Sequence, residues 1–135
     1  MRAEPDSGAS FEKIRRRADF VAAAKGARWN DPAFGLQMRQ RAGADGTRPR
    51  FGLTVTKKTA ARAVERNRMR RRLREALRLG AALGGSPGHD YVIVARRDVL
   101  SVPFPALRDQ LAAAIEGLSK RKPRGRGAQP RSRAP

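Results

Sequence analysis

Apolar residues alternate with small or polar residues in two stretches of the chain, and this two-residue period is typical of half-buried β-strands. The bulky residues of these stretches are Phe34, Leu36 and Met38, followed by Phe51, Leu53 and Val55. A brief strand around Arg28-Trp29 precedes the first stretch, and a flexible connection at 42–46 separates the two. Two strands joined by a loop predict an antiparallel pair. An unbroken apolar run, Tyr91–Ala95, predicts a further strand, buried on both faces of a sheet.

Three other stretches carry apolar residues at the three- and four-residue spacing of an α-helix. Their apolar positions are Phe11, Ile14, Ala18 and Val21 in the first, Met69, Leu73, Ala76, Leu77 and Gly80 in the second, and Phe104, Leu107, Leu111, Ile115 and Leu118 in the third. We expect the first helix to start at Ser10, an N-cap residue type, and to stop near Lys25-Gly26. The second should start between Thr59 and Val64 and end near Gly80.

The order of these elements predicts an α+β fold in a single domain. A strand, the second helix and the apolar strand form a βαβ unit, and the third helix should cover the sheet. The 135 residues suffice for one core of ordinary size. We therefore divide the chain into a flexible N-terminus at 1–9, a folded domain at 10–118 and a basic disordered tail at 119–135, which has too few apolar groups to fold.

The second helix is rich in arginine on the side opposite its apolar positions. That side is formed by Asn67, Arg70, Arg71, Arg74 and Arg78, with Arg68 and Arg72 further round. Glu65 and Glu75 can each pair with a neighbouring arginine, but the other guanidiniums repel one another. Most charged helix faces are only solvated, yet a face of one sign favours binding to a polyanion. The most direct candidate for that polyanion is nucleic acid, because arginine offers bidentate donors to phosphate and stacks on bases.

Composition agrees with a nucleic-acid partner. The chain has 31 Lys and Arg against 12 Asp and Glu, a formal net charge of +19. It has no cysteine, so it offers neither a disulfide framework nor a thiolate metal site. The first residues lack the apolar core of a secretory signal, and no stretch reaches the length of a membrane span. We therefore expect a soluble, cytoplasmic protein without membrane contact.

Residues able to perform catalysis are scarce. The single histidine, His89, lies in a loop with no nucleophile or ligand partner nearby in sequence, and we interpret it as a surface residue. Asp90 and Asp98 flank the apolar strand and are interpreted as turn or cap residues, not as a metal pair. No glycine-rich motif enters a helix to cradle phosphate. Chemistry, if any, should therefore come from a partner, and no catalytic or metal-binding residue is predicted in this chain.

Three motifs occur in sequence order: Gly-Leu-Thr-Val-Thr-Lys-Lys at 52–58, Ala-Val-Glu-Arg-Asn-Arg-Met-Arg-Arg-Arg-Leu-Arg-Glu at 63–75, and Asp-Tyr-Val-Ile-Val-Ala-Arg at 90–96. Together with Asp19-Phe20 and Gly26, this set strongly resembles the protein component of bacterial ribonuclease P. The Arg-Asn-Arg element is the signature of that family. The likeness extends from Ile14 to Leu118.

The resemblance implies an αβββαβα domain, with a four-stranded mixed sheet packed by helices and a βαβ crossover of the uncommon left hand. It also implies a function. In this family the 5′ leader of precursor tRNA is removed by an RNA subunit that uses Mg²⁺, which agrees with the scarcity of catalytic residues here. The expected partners are the catalytic RNA and precursor tRNA, with the protein as a monomer in a one-to-one complex with the RNA.

The resemblance assigns two sets of residues. Those implied to bind RNA are Lys57, Lys58, Arg66, Asn67, Arg68, Arg70, Arg71 and Arg74. Those implied to line a leader cleft between the first helix and the sheet are Phe20, Phe34, Leu36 and Gln37. Ala24 and Gln37 occupy positions where the family usually or commonly has an aromatic residue. The cleft is therefore expected to rely more on Phe20, on hydrogen bonding by Gln37 and on charge than on stacking.

Two other classes of protein share some of these features. A ribosomal or other structural RNA-binding protein would have the same basic composition and a related βαβ fold. A DNA-binding basic-helix protein is the third alternative, although the strands rich in Thr and Gly and the lack of dimerising heptads speak against it.

Overall fold

The computed structural model describes residues 12–41 and 48–121. In chain order the helices and strands are β1 (Glu12–Lys13), α1 (Arg17–Ala24), β2 (Ala27–Asp31), β3 (Phe34–Gln40), β4 (Arg50–Thr54), α2 (Ala63–Arg78), β5 (His89–Ala95) and α3 (Phe104–Arg121). Short 3₁₀ helices precede and follow β5, at Ala81–Gly84 and Arg97–Leu100. The predicted flexible N-terminus and residues 122–135 of the predicted tail lie outside the described residues. Residues 119–121 belong to α3, so the helix continues past the predicted domain boundary.

The described strands form one mixed sheet in the order β1-β4-β5-β3-β2. The central strand, β5, runs parallel to β4 and antiparallel to β3. The prediction that β3 and β4 pair with each other is therefore wrong, because β5 lies between them. The reason is the apolar run in β5. Side chains on both of its faces need cover, and the centre of a sheet layered with helices provides it.

The first helix starts later than its apolar spacing predicted. Glu12 and Lys13 form a short parallel strand on β4, and the amide of Ile14 donates to the carbonyl of Phe51. The described part of the sheet therefore has five strands, not the four that were expected. Phe11 and the expected N-cap Ser10 lie outside the described residues. Val21, expected on the buried side of the helix, is 47% exposed.

Alternation along the strands divides their side chains between two layers. Phe34, Leu36 and Met38 of β3 pack with α2 and α3 in the main core. On the opposite face, Val92 of β5 forms a smaller cluster with Ile14 and Ala23, against which Phe20 packs. Of the described helices, α2 and α3 thus cover one face of the sheet and the eight-residue α1 covers the other.

The bounds of the arginine helix and its buried side were predicted correctly. Met69, Leu73, Ala76 and Leu77 are its buried residues. Gly80 lies beyond the end of α2, with a φ of 126° that favours glycine. The three- and four-residue spacing of its apolar positions was enough to orient this helix, because only one side of α2 packs against the core.

Candidate nucleic-acid interface

The α2 helix carries seven arginines and two glutamates among its 16 residues. Both glutamates are paired. Glu75 binds Arg78 at 2.5 Å within the helix, as predicted, whereas Glu65 binds Arg97 at 3.4 Å, from the 3₁₀ helix after β5. Hydrogen bonds from these two arginines lower the pKa of each glutamate carboxyl. The acidic groups of α2 are thus neutralised locally, and most of its arginines remain to attract an external anion.

Two of those arginines have structural contacts. The Nη1 of Arg66 donates to the carbonyls of Ala60 at 2.9 Å and Ala61 at 2.8 Å, which fastens the preceding loop to the helix. Arg72 donates through Nη2 to the carbonyl of Val102, near the start of α3. Of the predicted RNA-binding set, Arg66 is therefore partly committed to holding α2 in place.

The solvent-facing side of α2 is open. Asn67, Arg68, Arg71 and Arg74 are exposed, and the Oδ1 of Asn67 accepts a hydrogen bond of 3.2 Å from Arg70. Within the described part of the chain, no hydrogen bond or ion pair engages the guanidinium of Arg71 or Arg74. A phosphate can therefore approach both groups without displacing an acidic partner.

Lys57 and Lys58 are exposed in the tight turn that connects β4 with α2. Thr56 and Thr59 close that turn, with their side-chain oxygens 3.1 Å apart and the amide of Thr59 donating to the carbonyl of Thr56. The turn therefore holds the two ammonium groups at the N-terminal end of the arginine helix.

The Phe20 side chain packs against the sheet at Gly52, where any residue with a Cβ atom would collide with its ring. A Cβ atom built on Gly52 of β4 would be 2.6 and 2.7 Å from two carbons of the Phe20 ring. Such distances are well inside van der Waals contact, so the ring rests directly on the β4 backbone. The small residue in the strand thus lets an aromatic side chain of α1 approach the edge of β4.

A cleft of about 190 Å³ opens between α1 and α2 across β4. Its lining consists of Lys13, Ile14, Phe20, Phe51, Gly52, Leu53, Arg70, Arg74 and Leu77. Phe20 lines it from α1, and Arg70 and Arg74 line it from α2. An aromatic ring in one cleft with cations suits a single-stranded nucleic acid, whose bases can stack while its phosphates meet the charge. The structure thus brings residues from both predicted sets into one cleft.

The sequence prediction did not include the side of the cleft formed by β1 and the residues after it. Lys13 lines the cleft, and Arg15, Arg16 and Arg17 are exposed just beyond it. The signal that could have revealed them is the basic run Lys-Ile-Arg-Arg-Arg at 13–17. The apolar spacing of this stretch predicts an amphipathic helix, and that prediction does not assign its basic residues to a binding surface.

A buried carboxylate lies behind the cleft, at the start of β5. Asp90 is fully buried and accepts hydrogen bonds from Arg39 at 3.2 Å, from Arg41 at 2.5 Å and twice from Arg50 at 2.8 Å. Burial by itself would raise the pKa of Asp90, but the hydrogen bonds and charges of Arg50 and Arg41 outweigh it, and the pKa is lowered. Asp90 is therefore an ion-pair centre within the sheet, and its interpretation as a turn or cap residue is wrong.

Comparison with known proteins identifies the family of this chain. A family model described as ribonuclease P matches residues 9–119. A ribonuclease P protein component of Caulobacter vibrioides is 43% identical over 123 residues, which cover 91% of this chain and 81% of that protein. Another, from Brucella suis, is 40% identical over 120 residues and covers 84% of each chain. The chain belongs to the ribonuclease P protein family.

The fold agrees with that membership. The ribonuclease P protein of Thermotoga maritima matches with a TM-score of 0.65 at 24% identity, over 78% of this chain and 96% of that chain. The Staphylococcus aureus protein matches with a TM-score of 0.63 at 21% identity, over 78% of this chain and 94% of that chain. The chain is thus the protein subunit of a ribonucleoprotein endoribonuclease that matures the 5′ end of tRNA. The resemblance stated from its motifs is confirmed, and the two alternative classes are set aside.

Two residues of the expected ribonuclease P leader cleft lie elsewhere. Phe34 and Leu36 are 0% and 1% exposed in the main core, on the face of the sheet covered by α2 and α3. Phe20 lies on the opposite face, so the prediction that these residues line one cleft is wrong. The physical reason is strand alternation, because the bulky residues of β3 all point towards the larger core.

The remaining predicted cleft positions lie on the α1 side. Gln37 is half-buried and alternates with Leu36 and Met38, which places it on the face of the sheet that α1 covers. Ala24, the last residue of α1, is also half-buried. Neither residue lines the cleft between Phe20 and α2. Phe20 is therefore the aromatic residue that α1 contributes to that cleft, and Phe51 of β4 also lines it.

The described residues hold no group of three His, Asp or Glu side chains arranged to bind a metal ion. The one histidine, His89, is half-buried, and its Nδ1 lies 2.9 Å from the carbonyl oxygen of Pro87. Within 12–41 and 48–121, no helix combines the length and apolar character needed to cross a membrane.

Proposed function

We propose that the exposed face of α2 binds the catalytic RNA of ribonuclease P, and that the cleft beside it holds the 5′ leader of precursor tRNA. The observation that carries this proposal is the single cleft shared by Phe20, Arg70 and Arg74. Leader bases would stack on Phe20, a contact that tolerates any sequence. Leader phosphates would meet Arg70 and Arg74 on the α2 side of the cleft.

The same geometry divides the predicted RNA-binding residues. Arg70 and Arg74 face the cleft and are assigned to the leader. Asn67, Arg68 and Arg71 lie on the open side of α2 and are assigned to the catalytic RNA, together with Lys57 and Lys58 on the turn before it. An asparagine among these cations offers both a donor and an acceptor, so this surface can recognise particular RNA groups as well as phosphate.

The chemical step is assigned to the RNA subunit, which is the proposed holder of Mg²⁺. Among the described residues, no three His, Asp or Glu side chains are grouped in a way that could hold a metal ion. The protein would bind and orient the precursor, and its positive charge would offset repulsion between the two RNA molecules. We further propose a monomer in a one-to-one complex with the RNA, a cytoplasmic location, and a left-handed β4-α2-β5 crossover.

Reconstitution tests the proposed function. The purified full chain is added to its cognate ribonuclease P RNA at low Mg²⁺ concentration. The rate of precursor tRNA cleavage is measured with and without the protein, for a series of precursors that differ in leader length. We expect the protein to increase cleavage, and to increase it more for precursors whose leader can reach the cleft. No stimulation at any leader length would contradict the proposal.

Replacing Phe20 with alanine should weaken binding of precursor tRNA by about tenfold, since one stacked base contributes roughly 1–3 kcal/mol. Binding of mature tRNA should not change, because it has no leader to stack. Both affinities are measured for the reconstituted complex. Equal losses for the two ligands would assign Phe20 to the core between α1 and the sheet, and not to the leader.

Replacing Gly52 with alanine should reproduce most of that loss, because the new methyl group displaces the Phe20 ring from β4. We expect the affinity for precursor tRNA to fall by roughly three- to tenfold. The control is the same substitution in the Phe20→Ala background, where no ring remains to be moved. If Gly52→Ala acts through Phe20, it will have little further effect there, and the two losses will not add.

A further inference from the structure

The α1 helix has few apolar contacts with the sheet. Of its eight residues only Ala23 is buried, and no side chain caps its N-terminus, where Arg16 is the N-cap residue. An isolated helix of this length is not stable in water, so contacts outside the helix must hold it. Because Phe20 belongs to α1, those contacts also decide where the aromatic wall of the cleft lies.

Asp19 provides such contacts from the first turn of α1. Its Oδ1 lies 2.9 Å from Nη2 of Arg39 on β3, and its Oδ2 lies 3.2 Å from Nη2 of Arg50 on β4. The Asp19 side chain is only 17% exposed, and those of Arg39 and Arg50 are 27% and 22% exposed. Ion pairs with this little access to water are less screened than surface pairs.

The two arginines are themselves held by the sheet. Arg39 and Arg50 also bind the fully buried carboxylate of Asp90, at 3.2 and 2.8 Å. Each guanidinium therefore bridges one carboxylate on the sheet and one on α1. Since Asp90 fixes the two arginines, Asp19 finds its partners already in place, and less side-chain entropy is lost when the pairs form.

We propose that Asp19 is a positioning residue for leader binding. Its two ion pairs hold α1 against β3 and β4. They thereby fix the position of Phe20, the next residue, against Gly52. This inference rests on the proposed role of the cleft in holding the leader. Asp19 is not among the residues that line the cleft, so it acts through Phe20 and not by touching the leader.

The charge of Asp19 provides a test, because a positioning role and simple electrostatic attraction predict opposite changes in the affinity for precursor tRNA. Replacing Asp19 with asparagine keeps the shape of the side chain and removes one negative charge, which raises the formal net charge from +19 to +20. If only net charge mattered, every RNA would bind slightly more tightly. If Asp19 positions α1, precursor tRNA will bind more weakly in spite of the added positive charge.

The experiment compares Asp19→Asn with Asp109→Asn in the reconstituted complex. Asp109 is a matched control, because it lies on α3 with a side chain 73% exposed and loses the same charge. We expect Asp19→Asn to weaken precursor binding by roughly three- to tenfold, with mature tRNA unchanged. Asp19→Glu should recover part of the loss, and Asp109→Asn should show none.

A distance measurement on the free protein separates positioning from direct contact. The chain has no cysteine, so spin labels can be attached to cysteines introduced at Val21 on α1 and Ala113 on α3, both exposed. In Asp19→Asn the distribution of distances between them should broaden or shift, and in Asp109→Asn it should match that of the unaltered protein.

Two results would contradict the positioning role of Asp19. One is precursor affinity of Asp19→Asn equal to that of Asp109→Asn. The other is a loss of precursor affinity with an unchanged distance distribution, which would make Asp19 a direct contact. If the unaltered protein does not distinguish precursor from mature tRNA, the proposed cleft function itself fails, and the leader-positioning role of Asp19 fails with it.

Discussion

Replacing Asp90 with alanine is expected to lower the free energy of unfolding by about 3 kcal/mol, a large part of the stability of a domain of this size. The substitution leaves Arg39, Arg41 and Arg50 close together without the carboxylate that binds them all. Removing one partner of a buried ion pair generally costs about 3–5 kcal/mol. We expect the lower end because these arginine side chains are 13–27% exposed and can recover some hydration.

Urea denaturation of the free protein, followed by circular dichroism, measures this effect. The control is Asp98→Ala, which removes an exposed aspartate from the 3₁₀ helix after β5 and should change stability by less than about 0.5 kcal/mol. If both variants are equally stable, the Asp90 network contributes no more than surface charge does.

The effect of Asp90 should also depend on pH. Its pKa in the folded protein lies below the ordinary value of 3.8. The carboxylate therefore contributes stability above that ordinary value, and the contribution is lost as the pH falls through the folded pKa. We expect the difference in unfolding free energy between the unaltered protein and Asp90→Ala to be full near pH 7 and smaller near pH 3. A difference that stays constant would indicate a loss of packing, not of charge.

Replacing Arg70 and Arg74 together with alanine should weaken binding of precursor tRNA by about 100-fold near physiological salt. Each guanidinium that meets a phosphate contributes about 1.4 kcal/mol or more, which is tenfold in affinity. The two lost contacts should also make the affinity less dependent on salt, with the slope of log affinity against log salt reduced by roughly two. Titrations at several salt concentrations give both quantities.

The matched control is Arg108→Ala combined with Lys120→Ala, which removes two positive charges from α3. These side chains are 40% and 74% exposed and each lies beside an acidic residue, at 3.4 and 3.7 Å. We expect a small loss of affinity from this pair. Equal losses from the α2 and α3 pairs would mean that the net charge attracts the RNA and that the cleft does not.

The sequence predicted well those features that depend on neighbouring residues. The bounds of α2, its buried stripe and its arginine face all follow from one repeating pattern within 16 residues. The βαβ succession and the apolar strand Tyr91–Ala95 were also predicted. The motifs around Arg66-Asn67-Arg68 were sufficient to identify the family, because their order and spacing can be read along the chain.

The sequence predicted less well the features that depend on distant residues. Phe34 and Leu36 were placed in the cleft because they lie on the right strand, but which face of β3 meets α1 is decided by the packing of the whole sheet. The pairing of Glu12 and Lys13 with β4 likewise replaced the expected start of the first helix. Nothing near Asp90 in sequence indicates that Arg39, Arg41 and Arg50 will surround it.

By itself, then, the sequence determined that α2 carries a cationic face and which family the protein belongs to. Both are local properties, set by periodicity and by short motifs. Only the tertiary structure decided that Phe20 shares one cleft with Arg70 and Arg74 of α2. It also decided that Asp19 of α1 and Asp90 of the sheet bind the same two arginines, Arg39 and Arg50. The physical reason is that β5 inserts between β3 and β4, so contacts between residues far apart in the chain set the geometry of the cleft.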